Sequence, residues 1–184
     1  RLHFRGSAEG GADTQFDGGE ITPTGFRRNV FGVGGGFKSG VHEMGFNYRH
    51  HDTDHAGNPA LPMDMEDTGT DIYNLEYDGV VQGVPVDAQI YYSQVDHTMD
   101  NYSQRPPPGN PMMNRFIAAA SEELGFKIDG AWPLSSGELT VGADGHYSTN
   151  NMNVVNPSNA MFFVRNINDA EQDSTGAFIE WEGK

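Results

Sequence analysis

Apolar and polar residues alternate along most of the chain, in eight separate segments. In one of them Val86, Ala88 and Ile90 alternate with Asp87 and Gln89. Successive side chains of a β-strand point to opposite faces, so a period of two predicts strands with one apolar and one polar face. The apolar rows begin at Leu2, Phe31, Met44, Tyr73, Val84, Leu124, Leu139 and Thr175. The pattern therefore predicts an all-β protein of about eight strands.

Long and short connections alternate between these segments. We expect long connections over 9–25, 50–69, 100–120 and 150–172, separated by short turns near 38–40, 78–83 and 133–137. Consecutive antiparallel strands with this alternation place every long connection at the same end of the sheet. Short turns at one end and long loops at the other are typical of an up-and-down transmembrane β-barrel of the outer membrane.

A soluble β-sandwich also alternates apolar and polar residues, so the pattern leaves that alternative open. Two features favour a membrane β-barrel over a soluble sandwich. Several rows are long enough for a tilted crossing, which needs about 9–11 residues. Tyrosine and tryptophan also lie near the predicted strand ends, where a half-apolar ring suits the membrane–water interface. These residues are Tyr48, Tyr73, Tyr92, Trp132, Tyr147 and Trp181.

Composition narrows the range of functions. The chain has 26 acidic and 11 basic residues and a net charge of −15, which argues against nucleic-acid binding because that needs a basic surface. It has no cysteine, which excludes disulfides and thiolate metal sites. Neither a nucleophile elbow nor an ordered catalytic constellation is present, so we expect no enzyme activity.

The two ends of the sequence suggest a piece of a larger protein. The chain starts with Arg1 and shows no signal peptide, and it stops at Lys184 directly after an apolar row. We therefore expect residues 1–184 to be an incomplete slice of a larger barrel.

Residues 45–105 resemble TonB-dependent outer-membrane receptors, most specifically in two stretches. Residues 55–64 (HAGNPALPMD) resemble a loop of that family, and residues 89–102 (QIYYSQVDHTMDNY) are similar to its copper-receptor branch. The resemblance implies a barrel of about 22 strands around an N-terminal plug. Residues 1–184 would then be about a third of the barrel wall, without the plug. The implied partners are outer-membrane lipid, a metal or metal-complex substrate and, through other parts of the protein, TonB, at the bacterial outer membrane.

His97 and Met99 are the candidate metal ligands. They lie two apart, so both point to one face of a strand, and their parity matches the polar residues Asp87, Gln89 and Ser93. A neutral imidazole with a thioether suits a soft ion such as Cu(I). The alternative is a polar histidine and a gap-filling methionine at a loop base. The expected substrate is a metal, with copper as a possibility, and no tightly held cofactor is expected.

His42 and Met44 have the same spacing but share parity with the apolar residues Phe46 and Tyr48. We interpret them as an interfacial histidine and a lipid-facing methionine. The other methionines of interest, Met63, Met65, Met112 and Met113, are expected to make loop contacts rather than bind metal.

A histidine- and aspartate-rich segment follows Arg49. Ala56 and Gly57 interrupt the ligand series of a calcium loop, so the segment is interpreted as a solvated loop tip. Its members are His50, His51, Asp52, Asp54 and His55.

Three functions remain at this point: a segment of a metal-uptake receptor, a complete small barrel with a structural or adhesive role, and a soluble β-sandwich binding module. Pairing of the first and last strands would favour the small barrel, whereas an open sheet with free terminal edges would favour the receptor.

Overall fold

An eight-stranded antiparallel sheet runs through the chain in the computed structural model, which describes residues 1–183. The strands of the chain, in order, are β1 (Leu2–Gly11), β2 (Thr14–Phe16), β3 (Gly19–Ile21), β4 (Phe26–Ser39), β5 (His42–Ala56), β6 (Asp64–Val81), β7 (Val84–Asp100), β8 (Phe116–Leu134), β9 (Gly137–Asn156) and β10 (Asn159–Gly183). The short strands β2 and β3 form a separate hairpin inside the first connection. The large sheet has the order β1-β4-β5-β6-β7-β8-β9-β10, as expected for an up-and-down arrangement.

The sheet is open. Strand β1 pairs with β4 and strand β10 with β9, and within residues 1–183 the two terminal strands do not pair with each other. The same residues include no buried hydrophobic side chain. A β-sandwich buries the facing sides of two packed sheets, so this sheet is not half of a sandwich within the chain. The expectation of an all-β fold with about eight antiparallel strands is confirmed, and the open sheet is consistent with a slice of a larger barrel.

The two faces of the sheet differ in chemistry. Directly paired residues of an antiparallel ladder point to the same face, and the register joins Tyr48 to Tyr73, Tyr73 to Tyr92 and Tyr92 to Leu124. The ring centroids of Tyr48 and Tyr73 are 4.8 Å apart, and those of Tyr73 and Tyr92 are 6.1 Å apart. We call the row formed by Tyr48, Tyr73, Tyr92 and Leu124 the aromatic row. The side of the sheet on which it lies is called the apolar face. The opposite side is the polar face.

The apolar face continues from the aromatic row towards the short turns. There it exposes Phe46, Leu75, Ile90, Phe126, Ile128 and Trp132, each more than a third accessible. The turn between β6 and β7 has only two residues, Gln82 with φ 52° and Gly83 with φ 86°. Positive φ at both positions is the hairpin geometry whose twist matches that of the strands, and glycine adopts it readily. The predicted short turns, and the separation of apolar and polar residues onto opposite faces, are therefore confirmed.

Two of the predicted long connections are wrong. Most of 50–69 is strand, with β5 ending at Ala56 and β6 starting at Asp64. Residues 150–172 form a long hairpin whose turn is only Pro157–Ser158. Apolar and polar residues do not alternate over these segments. Residues 50–56 and 64–69 are mostly polar on both faces, whereas the second hairpin combines asparagines with the apolar run Ala160–Val164. The period-two pattern is therefore lost although the backbone ladder continues. The hairpin ladder is also interrupted by register shifts between Asn159 and Ala170.

The loop of residues 101–115 folds over the ends of β6 and β7. Its Arg105 donates from Nε and Nη2 to the carboxylate of Asp64, each at 2.5 Å, and Asp64 is fully buried. Burial by itself raises the pKa of Asp64, but the hydrogen bonds from Arg105 and the Asn58 N–H, with the Arg105 charge, outweigh it and leave the pKa below its usual value. At the other end of the loop, Asn156 Nδ2 donates to the Met112 carbonyl at 2.8 Å.

Helical structure among residues 1–183 amounts to a 3-10 turn at Pro111–Met113. No helix within that range is long and apolar enough to cross a bilayer.

Candidate metal centre

His97 and Met99 lie on β7 beyond the aromatic row, on the side of the long connections. Their register partners are Thr68 and Met65 on β6, and Ala119 and Ile117 on β8. Asp87, Gln89 and Tyr91 share their parity, so both side chains belong to the polar face. His97 and Met99 are half-buried.

The imidazole of His97 is oriented by a neighbouring strand. Its Nδ1 lies 2.5 Å from Thr68 Oγ1. When Nδ1–H donates to that hydroxyl, Nε2 carries the free lone pair that a metal requires. Burial lowers the pKa of His97, and the Asp67 carboxylate partly opposes this effect. The neutral, ligand form of His97 is therefore favoured over a wider pH range than in an exposed histidine.

Met65 is predicted from sequence to lie in a loop, but the structure pairs it directly with Met99. The cause is a β-bulge between Met65 and Asp67. Without the bulge Met65 would share the parity of Tyr73 and lie on the apolar face. With it, Met65 is a register partner of Met99 and lies on the polar face beside it. No feature of the sequence indicated an irregularity at this position.

Met152 is a further thioether on this face. It is the β9 partner of Ala119, which is itself the β8 partner of His97. The small Ala119 side chain is thus what separates His97 from Met152. The polar face near the long connections therefore collects one imidazole and three thioethers, the ligand types that suit a soft metal ion.

His42 and the other methionines singled out from the sequence lie elsewhere. His42 and Met44 are on the apolar face close to the short turn at Gly40, and His42 Nδ1 lies 2.8 Å from Tyr77 Oη. Met63 lies in the connection before β6, while Met112 and Met113 lie in the exposed 3-10 turn. These residues are not brought together with His97.

The interpretation of residues 50–55 as a loop tip is wrong, because they continue strand β5. His50 Nδ1 lies 2.9 Å from Asp71 Oδ1, just beyond the aromatic row on the apolar side of the sheet. Farther along the same side, carboxylate oxygens of Asp52, Asp54 and Asp67 lie within 4.8 Å of one another. Burial, followed by the charges of Asp52 and Asp54, raises the pKa of Asp67. This carboxylate group faces away from His97, so the two sets cannot share an ion.

Thr68 provides a first test of the His97 geometry. Thr68→Val keeps the shape of the side chain and removes the Oγ1 acceptor, so His97 loses the partner that fixes its tautomer and ring orientation. Loss of such a supporting contact costs about tenfold or more in metal affinity. We expect this reduction in Cu(I) affinity, measured by competition with a Cu(I) chelator, in the full-length protein. Thr68→Ser should retain wild-type affinity, and an unchanged affinity in Thr68→Val would contradict the role of this contact.

Comparisons with known proteins identify a fold. No family model matches the chain, and no curated protein matches it. Among solved structures, one described as copper transporter OprC superposes with a TM-score of 0.81 at 21% sequence identity. The match covers 97% of this chain and 29% of that chain, so this chain spans less than a third of the neighbour's length. At this identity the likeness establishes the fold alone.

Proposed function

We propose that the chain is part of the barrel wall of a TonB-dependent outer-membrane receptor that takes up a metal ion or metal complex. The open eight-stranded sheet and its likeness to a segment of a copper transporter support this proposal. The resemblance of residues 55–64 and 89–102 to that receptor family points the same way. Energy coupling through TonB would involve parts of the protein outside this chain.

The apolar face is the surface we assign to outer-membrane lipid. It exposes large hydrophobic side chains between the aromatic row and the short turns. Tyrosine rings such as Tyr48, Tyr73 and Tyr92 are favoured where hydrocarbon meets headgroups. The short turns would then face the periplasm and the 101–115 loop the cell exterior. The polar face lines the interior of the barrel.

Copper is the substrate that the ligand types favour. The observation that carries this step is the placement of His97, Met99 and Met65 on one face, with Met65 and Met99 directly paired. Thioethers select soft ions such as Cu(I), and a neutral imidazole is compatible with them. The wall would capture the ion at its external end and release it inward. This is binding and transport, and no residue is assigned a catalytic role.

The decisive measurement is copper binding by the full-length receptor under reducing conditions. His97→Ala and Met99→Ala should each weaken Cu(I) binding by about tenfold or more, because a site with few soft ligands depends on each of them. The double variant should lose most of its copper. Bound metal is determined by elemental analysis after dialysis against defined free Cu(I).

His42→Ala and Met44→Ala are the matched controls. They repeat the same chemical changes at the same spacing on the apolar face and should keep wild-type copper content. Wild-type copper content in all variants would reject copper binding at this site. Copper loss confined to the His42 and Met44 variants would instead contradict the assignment of the two faces.

A further inference from the structure

A second set of charged side chains lies on the polar face, at the β1 end of the sheet. Arg5 pairs with Gly32 of β4, and Gly32 pairs in turn with Arg49 of β5. All three residues therefore share one face. Two strand spacings place the Cα atoms of the two arginines about 10 Å apart, with no side chain between them. Both guanidinium groups can reach a ligand held above Gly32.

Neither arginine has a carboxylate partner among residues 1–183. Within residues 1–183 no carboxylate oxygen lies within 4.0 Å of Arg5 or Arg49, in a chain that carries a net charge of −15. Their neighbour Arg28 is different, because its Nη1 lies 2.9 Å from Glu9 Oε1. Two unpaired arginines beside such an acidic chain indicate a place for an external anion.

The backbone leaves a cavity at this position. A cavity of about 450 Å³ is lined by Arg5, Gly32, Arg49, Asn74, Gln89 and Tyr91, among others. We call it the basic groove. A Cβ at Gly32 would lie 3.2 Å from the Tyr48 carbonyl oxygen and 3.9 Å from Arg5 Cβ. Because residue 32 is glycine, no side chain fills the space between the two arginines. At Gly34 the side chains of His3 and Asn47 already occupy the space that a Cβ would need.

We propose that the basic groove binds a small dicarboxylate. A guanidinium group offers paired N–H donors that match the two oxygens of a carboxylate, and the groove holds two such groups on opposite sides. Asn74, Gln89 and Tyr91 line its far wall, where Asn74 Nδ2 donates to Glu76, Gln89 Nε2 to Asn74 Oδ1 and Tyr91 Oη to Glu123 Oε1. The two guanidinium groups therefore supply the charged donors for the ligand. The volume is in the range of small-molecule sites rather than that of a protein interface. The proposal is independent of copper binding, because it uses none of His97, Met99 or Met65.

The test is calorimetric titration of the full-length protein with glutarate, in low-salt buffer without phosphate. Wild-type protein should bind glutarate and should not bind glutaramide, which has the same shape without charge. Arg5→Gln and Arg49→Gln should each weaken glutarate binding about tenfold, and the double variant should abolish it. Arg27→Gln, which changes an exposed arginine outside the groove, should bind like the wild type. The glutarate affinity of Arg49→Lys should lie between those of the wild type and Arg49→Gln, because lysine keeps the positive charge but lacks the paired N–H donors of a guanidinium group.

The alternative occupant is an acidic protein segment inside the barrel. In that case wild-type protein would not bind glutarate, while the double variant would lose thermal stability, and the proposal would be overturned. Equal binding of glutarate and glutaramide, or unchanged glutarate affinity in the double variant, would overturn it as well. Copper content, measured in the same samples, should stay at the wild-type level in every arginine variant. The copper measurement therefore distinguishes a wrong proposal for the basic groove from a wrong proposal for the metal site.

Discussion

Replacing Arg105 with alanine is expected to release the 101–115 loop while the eight-stranded sheet stays paired. Arg105 is the charged partner of the fully buried Asp64, with two 2.5 Å hydrogen bonds to its carboxylate. Removing one member of a buried ion pair leaves an uncompensated charge and costs about 3–5 kcal/mol. The loop can avoid this cost by opening and letting water reach Asp64. We therefore expect local opening rather than unfolding of the barrel.

Hydrogen–deuterium exchange of the full-length protein measures this opening. Amide exchange in 57–63 and 101–115 should rise by orders of magnitude in Arg105→Ala, with little change in the strands below. Arg27→Ala is the control, because Arg27 lies 3.9 Å from Asp54 with its side chain 70% exposed. An exposed pair of this kind contributes at most about 1 kcal/mol. Equal loop protection in Arg105→Ala and the wild type would show that the pair does not hold the loop.

The same pair gives the loop a defined pH dependence. The pKa of Asp64 lies below its usual value, so its stabilising effect is complete above about pH 4 and is lost as the pH falls through the lowered pKa. Loop protection in the wild type should therefore be constant from neutral pH down to about pH 4 and decrease below it.

Ile128→Arg should prevent normal assembly of the barrel, whereas Asp87→Arg should be tolerated. Ile128 is 48% exposed on the apolar face, between Leu124 of the aromatic row and the strand end at Leu134. A charge at the bilayer midplane costs about 2–4 kcal/mol on the lipid side of a barrel. Asp87 lies at nearly the same depth on the polar face, where its register partners are Asp78 and Asp129. An arginine there stays in water and lies between two carboxylates.

Assembly is measured by the amount of folded protein in the outer membrane, using the shift in gel mobility between heated and unheated samples. Ile128→Leu provides a control for substitution at that position and should assemble normally. Equal assembly of Ile128→Arg and Asp87→Arg would show that the apolar face does not contact lipid.

The faces of the sheet could be predicted from sequence because they depend on parity. The strand order could be predicted because long and short connections alternate between consecutive strands. Between the aromatic row and the short turns, one face of the sheet is apolar and the other is polar. Residues therefore alternate in polarity along each strand, and this period of two is visible in the sequence. Farther from the short turns apolar and polar residues no longer alternate, so the sequence around residues such as Asp52 and Asn151 does not indicate that the ladder continues. Strand length is therefore underestimated from sequence wherever the alternation is lost, both in polar segments and in apolar runs such as Ala160–Val164.

The candidate site was predicted only in part, for related reasons. His97 and Met99 followed from parity, but Met65 reaches the same face through a bulge that has no sequence signal. The contact between Arg105 and Asp64 joins residues 41 positions apart, and neither lies in a recognisable motif. The basic groove depends on Arg5 and Arg49 lying on either side of Gly32, which only the register of three strands reveals.

Because the strands extend past the aromatic row, an ion bound at His97 and Met99 would be held outside the bilayer before it is released inward. Strand β7 continues from Tyr92 to Asp100, and at about 3.3 Å per residue this raises the wall well above the assigned lipid surface. His97 and Met99 would then line a water-filled vestibule outside the bilayer. An ion bound there is still in exchange with the external medium. Capture would be reversible, and an impermeant chelator outside the cell would compete for the ion until inward release begins.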